Sequence, residues 1–468
     1  MTPHQEVTTR RGLRDAGYRP RSIRDEVRTN LIASLRSGER LFAGIHGYEG
    51  TVIPQLENAI LAGHDIILLG ERGQAKTRLA RSLVQLLDPW MPIIAGSETN
   101  DDPFQPVSAF GRRMIAEFGD EVAIEWVPRD RRFAEKLATP DATIADLIGE
   151  IDPIKLAEGR YLSNEEVISY GLIPRANRGI FNLNELPDLA ERIQVGLLNI
   201  LEEEDVQIRG FQVRMPLDMI VVATANPDDY TNRGRIITPL KDRFGSQIRT
   251  HYPLTVADEL SIVRQEWSGS DVNGITVRVP DFMSDLVADI SRVARKSPEI
   301  SQRSGVSVRM TISNYEALVA NSQRRALLLG ETMAVPRISD LHAIYPSSLG
   351  KLEFETFGSL EDREVIDRII GESVRHIYTQ RVRDDTVEPL IQAMANGLVI
   401  EASDMRPAVE YPSAIAGIDG LQAMLRQLGG SDEPAVMASS LEFVLEGLYR
   451  NRRIGKIEAA AGQRYGVA

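Results

Sequence analysis

"DIILLGERGQAKTRLARSLVQLL", Asp65 to Leu87, decides the fold. An apolar run of strand length opens into a glycine-bearing turn, and the turn opens into a segment with helical spacing. Within it, Gly70-Glu71-Arg72-Gly73-Gln74-Ala75-Lys76-Thr77 matches G-x-x-x-x-G-K-[ST], except that Ala75 stands where the last glycine belongs. In such a loop successive backbone N–H groups and the helix N-terminus point at phosphate oxygens. Lys76 is then expected to reach the β- and γ-phosphates of a nucleotide, and the Thr77 hydroxyl to bind magnesium. The Ala75 methyl is the smallest possible departure, tolerable where that residue needs no positive φ. A bare match of this looseness arises by chance in long chains; a strand before it and a helix after it make chance a poor account.

Outward from the loop, residues 65–225 alternate short β-like runs with helices, the pattern of a mostly parallel sheet. The clearest runs are "DIILLG" (65–70), "GIFNL" (179–183) and "MIVVATA" (219–225). The second run ends in Asn184-Glu185, where a phosphate-hydrolysing site usually carries two acids. Glu185 is expected to act as general base on the attacking water. Asn184 keeps a carbonyl oxygen for a magnesium-bound water but lacks the charge, so weaker magnesium affinity is expected. The competing reading is an ordinary strand followed by a helix cap, "NELPDLAERIQ", with Asn184 and Asp188 satisfying backbone donors. Asn226 ends the third run and could help Glu185 hold water, although Asn-Pro alone is a turn signal. Arg243, in "ITPLKDRFG", suits an arginine that crosses a subunit boundary to neutralise charge on the γ-phosphate, or else a plain salt bridge. Arg309 begins a helix further on and could reach the same phosphate from a lid. Arg233, Arg235 and Arg303 are weaker candidates.

The 468 residues exceed what one hydrophobic core usually serves, so two or more domains are expected. A net charge of −13 argues against a surface built to coat nucleic acid. The absence of cysteine excludes disulfides and thiolate metal sites, and the six histidines are scattered. The first residues lack the apolar core of a secretory signal, and no apolar run is long enough to span a membrane. A cytoplasmic protein is expected. The reading divides the chain into an N-terminal helical arm (1–40, with a helix near Ser22–Leu35), an α/β nucleotide-binding domain (41–253, with 91–140 as an insertion), a helical lid (254–345) and a helical C-terminal region (346–468). "EDVQIRGFQVRMP" (204–216) reads as a β-hairpin.

The order of these pieces resembles the AAA+ ATPases of the magnesium chelatase subunit I and MoxR type. The stretches that carry the likeness are "GERGQAKTRL", "LIPRANRGIFNLNELPDL", "LLNILEEEDVQIRG", "VVATANPDDYTNRG", "ITPLKDRFG" and "RSGVSVRMTI", between about Phe42 and Ser313. The resemblance implies an AAA+ P-loop core with a parallel sheet, an α-helical lid and a ring, usually hexameric, with ATP and Mg2+ bound between subunits. It implies Walker A at Gly70–Thr77, Walker B at Ile180–Glu185, sensor 1 at Asn226, the arginine finger at Arg243 and sensor 2 at Arg309. The adenine would sit near Ile45-His46-Gly47. It further implies an ATPase that remodels a partner, plausibly one with a von Willebrand factor A domain. Two other readings share this core: a nucleotide-gated scaffold with little hydrolysis, and a magnesium chelatase motor in tetrapyrrole synthesis. A helicase is disfavoured by the acidic balance.

Overall fold

The computed structural model describes residues 6–151, 167–203, 215–226, 235–267, 269, 274–301, 304–355, 361–459 and 462–466. These form two compact units, residues 1–251 and 252–468. The hairpin expected at 204–216 lies outside the described residues except at its end, as do Arg233 and Arg303.

Unit 1 is built on five parallel strands: β1 (Ile66–Leu69), β2 (Phe133–Leu137), β3 (Gly179–Asn184), β4 (Met219–Ala225) and β5 (Ser246–Arg249). Their order is β2-β3-β4-β1-β5. The central three are buried along their whole length, because both faces are covered, as parallel sheets require. Side chains alternate between two cores. Ile66, Leu68, Ile180, Val222 and Ile248 face helices α1 (Ile23–Ser37), α2 (Val52–Ala62) and α3 (Lys76–Ser82). Ile67, Leu69, Phe181, Leu183, Val221 and Ala223 face α4 (Glu191–Glu203) and α5 (Thr238–Arg243). The three strands expected from the sequence are therefore the three central ones.

Two expectations need correction. The segment 91–140 is not wholly an insertion: after an antiparallel ribbon, Trp90–Ile94 with Ile124–Pro128, it supplies the edge strand β2, in register with β3 through Glu135 opposite Asn182. The N-terminal segment is not a separate arm, since Ile23, Val27 and Leu31 of α1 are buried in the sheet's core. Ser22 caps that helix by accepting from the Asp25 N–H. A buried bidentate ion pair fixes it, Arg132 Nη1 to Glu26 Oε1 at 2.6 Å and Nη2 to Oε2 at 2.8 Å. The Ile23 N–H also donates to Asp218 Oδ2 at 2.8 Å.

Unit 2 packs α6 (Asp281–Ala294), α7 (Val308–Leu329), α8 (Asp362–Arg381) and α9 (Pro434–Arg450) around one core. Every residue of α9 from Ala435 to Leu448 is buried, so this helix is the unit's axis. It carries two buried acids. Glu442 accepts from the Tyr411 hydroxyl at 2.5 Å, and Glu446 from Lys456 at 2.8 Å, Arg450 at 2.7 Å and the Tyr465 hydroxyl at 2.6 Å. The expected helical C-terminal region is present, with helices at Asp362–Arg381, Asp384–Ala395, Leu421–Gly429 and Pro434–Arg450, but it also holds short strands. Ile400–Ala402, Gly455–Ala459 and Gly462–Gly466 form a small antiparallel sheet with Gly462–Gly466 in the middle.

Candidate active site

Parallel strands direct their C-terminal ends to one side of the sheet, and a parallel α/β sheet collects its ligand groups there. On this side the loop after β1 meets the ends of β3 and β4. The loop turns through Gly73 at φ 78° and Ala75 at φ 55°, ψ 18°, then enters α3 at Lys76. Ala75 therefore does occupy the left-handed region, the condition under which its methyl is costly. Gln74, buried, locks the turn: its Oε1 accepts from the Glu71 N–H at 3.1 Å and from the Thr250 hydroxyl at 2.7 Å. Gly70 leaves no room for a side chain, as a Cβ there would lie 1.8 Å from Thr250 Oγ1. Arg72 is exposed. A cleft of about 400 Å³ runs beside the loop, lined by Gly70, Glu71, Gln74, Lys241, Arg249 and Thr250.

Lys76 is buried at 7% exposure. Its ammonium donates to the Gly70 carbonyl, to Glu71 O at 2.9 Å and to Asn226 Oδ1 at 2.7 Å. The Asn226 amide passes the contact on, donating through Nδ2 to Glu185 Oε2 at 3.2 Å. The expected lysine, sensor asparagine and base thus form one chain of hydrogen bonds. Glu185 itself sits at φ 54°, ψ 46°, a left-handed conformation for a residue with a Cβ. Strain of this kind concentrates where surroundings over-determine a functional group. Here Thr224 helps impose it, its hydroxyl oxygen accepting from the Glu185 N–H at 3.1 Å.

Asn184 does not cap a helix; the short turn after it, Leu186–Asp188, has no side-chain cap. Its carbonyl oxygen instead accepts from the hydroxyls of Thr77 and Thr224, each at 3.3 Å, and from the Asn182 amide at 3.2 Å. Its own amide donates to Glu135 on β2. Magnesium takes oxygen ligands and keeps several waters. A threonine hydroxyl and an amide oxygen converging beside a phosphate loop fit that ion.

Before α2, Ile45 is buried, His46 is half-buried and Gly47 adopts φ 78°. Tyr48 fastens this segment to the site: its hydroxyl lies 2.9 Å from Gln74 O and 2.7 Å from His251 O. Burial pushes the Tyr48 phenol up to about 12, so it stays a neutral donor. Arg243 ends α5, exposed, and pairs with Glu202 on α4. Arg309 is exposed at the start of α7 in unit 2. Sequence reasoning missed Tyr48, Thr224 and Glu135. Thr224 was visible as the one polar residue inside "VVATA"; Glu135 had no local signal. Among the described residues no group of three acids or histidines forms another metal site, and no helix is long and apolar enough to cross a membrane.

Comparisons with known proteins bear on the same region. A family model described as the sigma-54 interaction domain matches residues 156–240. The chloroplastic magnesium-chelatase subunit ChlI-1 of Arabidopsis thaliana is 30% identical over 215 residues, covering 44% of this chain and 46% of that protein. The magnesium-chelatase 38 kDa subunit of Rhodobacter capsulatus is 25% identical over 228 residues, covering 48% and 59%. The chain thus spans about half the length of the curated relatives it matches. With the loop, the strand order and the polar strand ends in place, these matches show a P-loop α/β core that is similar, over about half of the chain, to the I subunits of magnesium chelatase.

Proposed function

We propose that the protein hydrolyses ATP with Mg2+ at a site shared between subunits of a ring, and uses the cycle to remodel a partner protein. The observation that carries this reading is the continuous contact from Lys76 through Asn226 to Glu185, beside Thr77 and Asn184. In this reading the loop N–H groups and Lys76 hold the phosphates. Mg2+ beside Thr77 and Asn184 would neutralise charge on the β- and γ-phosphates. Glu185 takes the proton of the attacking water, and Asn226 orients the Glu185 carboxylate. Arg243 leaves Glu202 to reach a neighbouring subunit's nucleotide, Arg309 approaches from the lid, and Ile45-His46-Gly47 borders the adenine. The same reading includes a hexameric ring, a cytoplasmic setting and a partner containing a von Willebrand factor A domain.

The missing charge at Asn184 favours a second reading, a nucleotide-gated scaffold with little turnover. Mg2+-dependent ATP hydrolysis across a protein-concentration series, beside Glu185→Gln, separates the two. Specific activity that rises with concentration and vanishes in Glu185→Gln supports the ring ATPase. ATP binding with no turnover in either protein, with candidate partners present, overturns it in favour of the scaffold.

A further inference from the structure

The acid missing from β3 has a counterpart one strand away. Glu135 on β2 lies opposite Asn182 in the parallel register, so its side chain shares the face that carries Asn182 and Asn184. Its Oε1 accepts from the Asn184 amide, and its Oε2 accepts from Arg81 Nε of α3 at 2.8 Å. The Glu135 side chain is 22% exposed, the Arg81 side chain 63%.

A carboxylate can only accept hydrogen bonds, whereas a side-chain amide presents a donor end and an acceptor end. Glu135 therefore dictates which way Asn184 points. With the NH2 group committed to Glu135, the amide oxygen must face Thr77 and Thr224, the two hydroxyls it meets. Were the amide turned over, two N–H donors would face the cation position and a carbonyl would face a carboxylate. The same contact places a full negative charge one hydrogen bond behind the amide oxygen. Partners of this outer kind orient metal ligands and raise their basicity.

We infer that Glu135 is the positioning residue of the magnesium site: it holds the Asn184 oxygen toward the cation and supplies, through the amide, the negative charge that the β3 acid would otherwise carry. Asn184 and Glu135 act as one acid divided between two strands. This rests on the nucleotide-site reading above and adds where the site's charge resides. The Arg81 side chain is mostly in solvent, where its charge is screened, so it leaves most of the Glu135 charge available.

The test is the Mg2+ concentration that half-saturates binding of a fluorescent ADP analogue, measured beside binding in EDTA and the melting temperature. Glu135→Gln keeps the shape, removes the charge and frees the amide to turn. It should raise the Mg2+ requirement about tenfold or more while leaving EDTA binding and melting unchanged. The exchanged pair, Asn184→Asp with Glu135→Gln, should bring the requirement back toward the wild-type value. Arg81→Ala should leave it unchanged or lower it. An unchanged requirement in Glu135→Gln, a failure of the exchanged pair to restore it, or a rise in Arg81→Ala overturns the inference. So does an equal loss of EDTA binding and thermal stability in Glu135→Gln, which would mark a purely structural role. Wild-type protein that binds ADP equally with and without Mg2+ refutes this inference alone; wild-type protein that binds no nucleotide refutes the site reading as well.

Discussion

Ala75 should be less stable than glycine at the same position. Its φ of 55° and ψ of 18° place an L-residue with a Cβ in the left-handed region, at a cost of about 1–2 kcal/mol. Glycine removes that cost but gives the unfolded chain more freedom, worth about 0.4–1 kcal/mol in the opposite direction. The difference leaves Ala75→Gly more stable by roughly 0.5–1 kcal/mol, or about 1–4 °C for a unit of this size. Two of the three tryptophans, Trp90 and Trp126, lie in unit 1 and the third, Trp267, in unit 2. In a Trp267→Phe background, tryptophan fluorescence during urea unfolding therefore reports unit 1 alone. Ala75→Gly should move the midpoint upward with the slope unchanged, and Ala75→Val should move it down, since a β-branched residue tolerates positive φ worst. A midpoint that falls in Ala75→Gly would refute the argument, because it would mean that Ala75 pays no conformational cost in the folded loop.

Glu26→Ala leaves the buried Arg132 guanidinium without its carboxylate and should destabilise unit 1 by about 3–5 kcal/mol, read by the same fluorescence transition. Asn226→Ala cuts the contact between Lys76 and Glu185 and should lower the ATP hydrolysis rate by up to about 100-fold with little change in fluorescent ADP binding. Arg243→Ala should abolish hydrolysis and spare nucleotide binding; loss of binding as well would contradict a role across the subunit boundary. Glu446 on α9 is buried, which alone would raise its pKa, yet Lys456 and Arg450 hold it below the ordinary 4.5. A carboxyl lowered in the folded state stabilises above its unfolded pKa and loses that contribution as pH falls. The melting-temperature difference between wild type and Glu446→Gln should accordingly be largest near neutral pH and shrink below about pH 4.5.

The central sheet was legible because β1, β3 and β4 are buried on both faces and read as unbroken apolar runs. The two edge strands were not. In β2 every residue is at least partly exposed, and "FAEKL" carries two charges; in β5 only Ile248 is buried. The closing sheet of unit 2 has strands of three to five residues with glycine at several ends, too short for alternation to register. The loop residues and the ends of β3 and β4 followed from motif and spacing. Glu135 did not, because its meaning depends on which strand lies beside β3, and no local pattern encodes strand order. The left-handed turn at Ala75 was likewise a condition that the residues could pose and only the backbone could answer.

The docking of α1 has a bearing on how this chain is made. Its first turn is held by Asp218, 195 residues further along, and by Arg132, 106 residues from Glu26. A ribosome adding about 5–20 residues per second needs about 10–40 s to bring Asp218 out after Ile23. Through that interval the apolar stripe of Ile23, Val27 and Leu31 has no sheet to lie against. A helix made early is thus fully held only late, and the newborn chain carries this adhesive face exposed until most of unit 1 has been made.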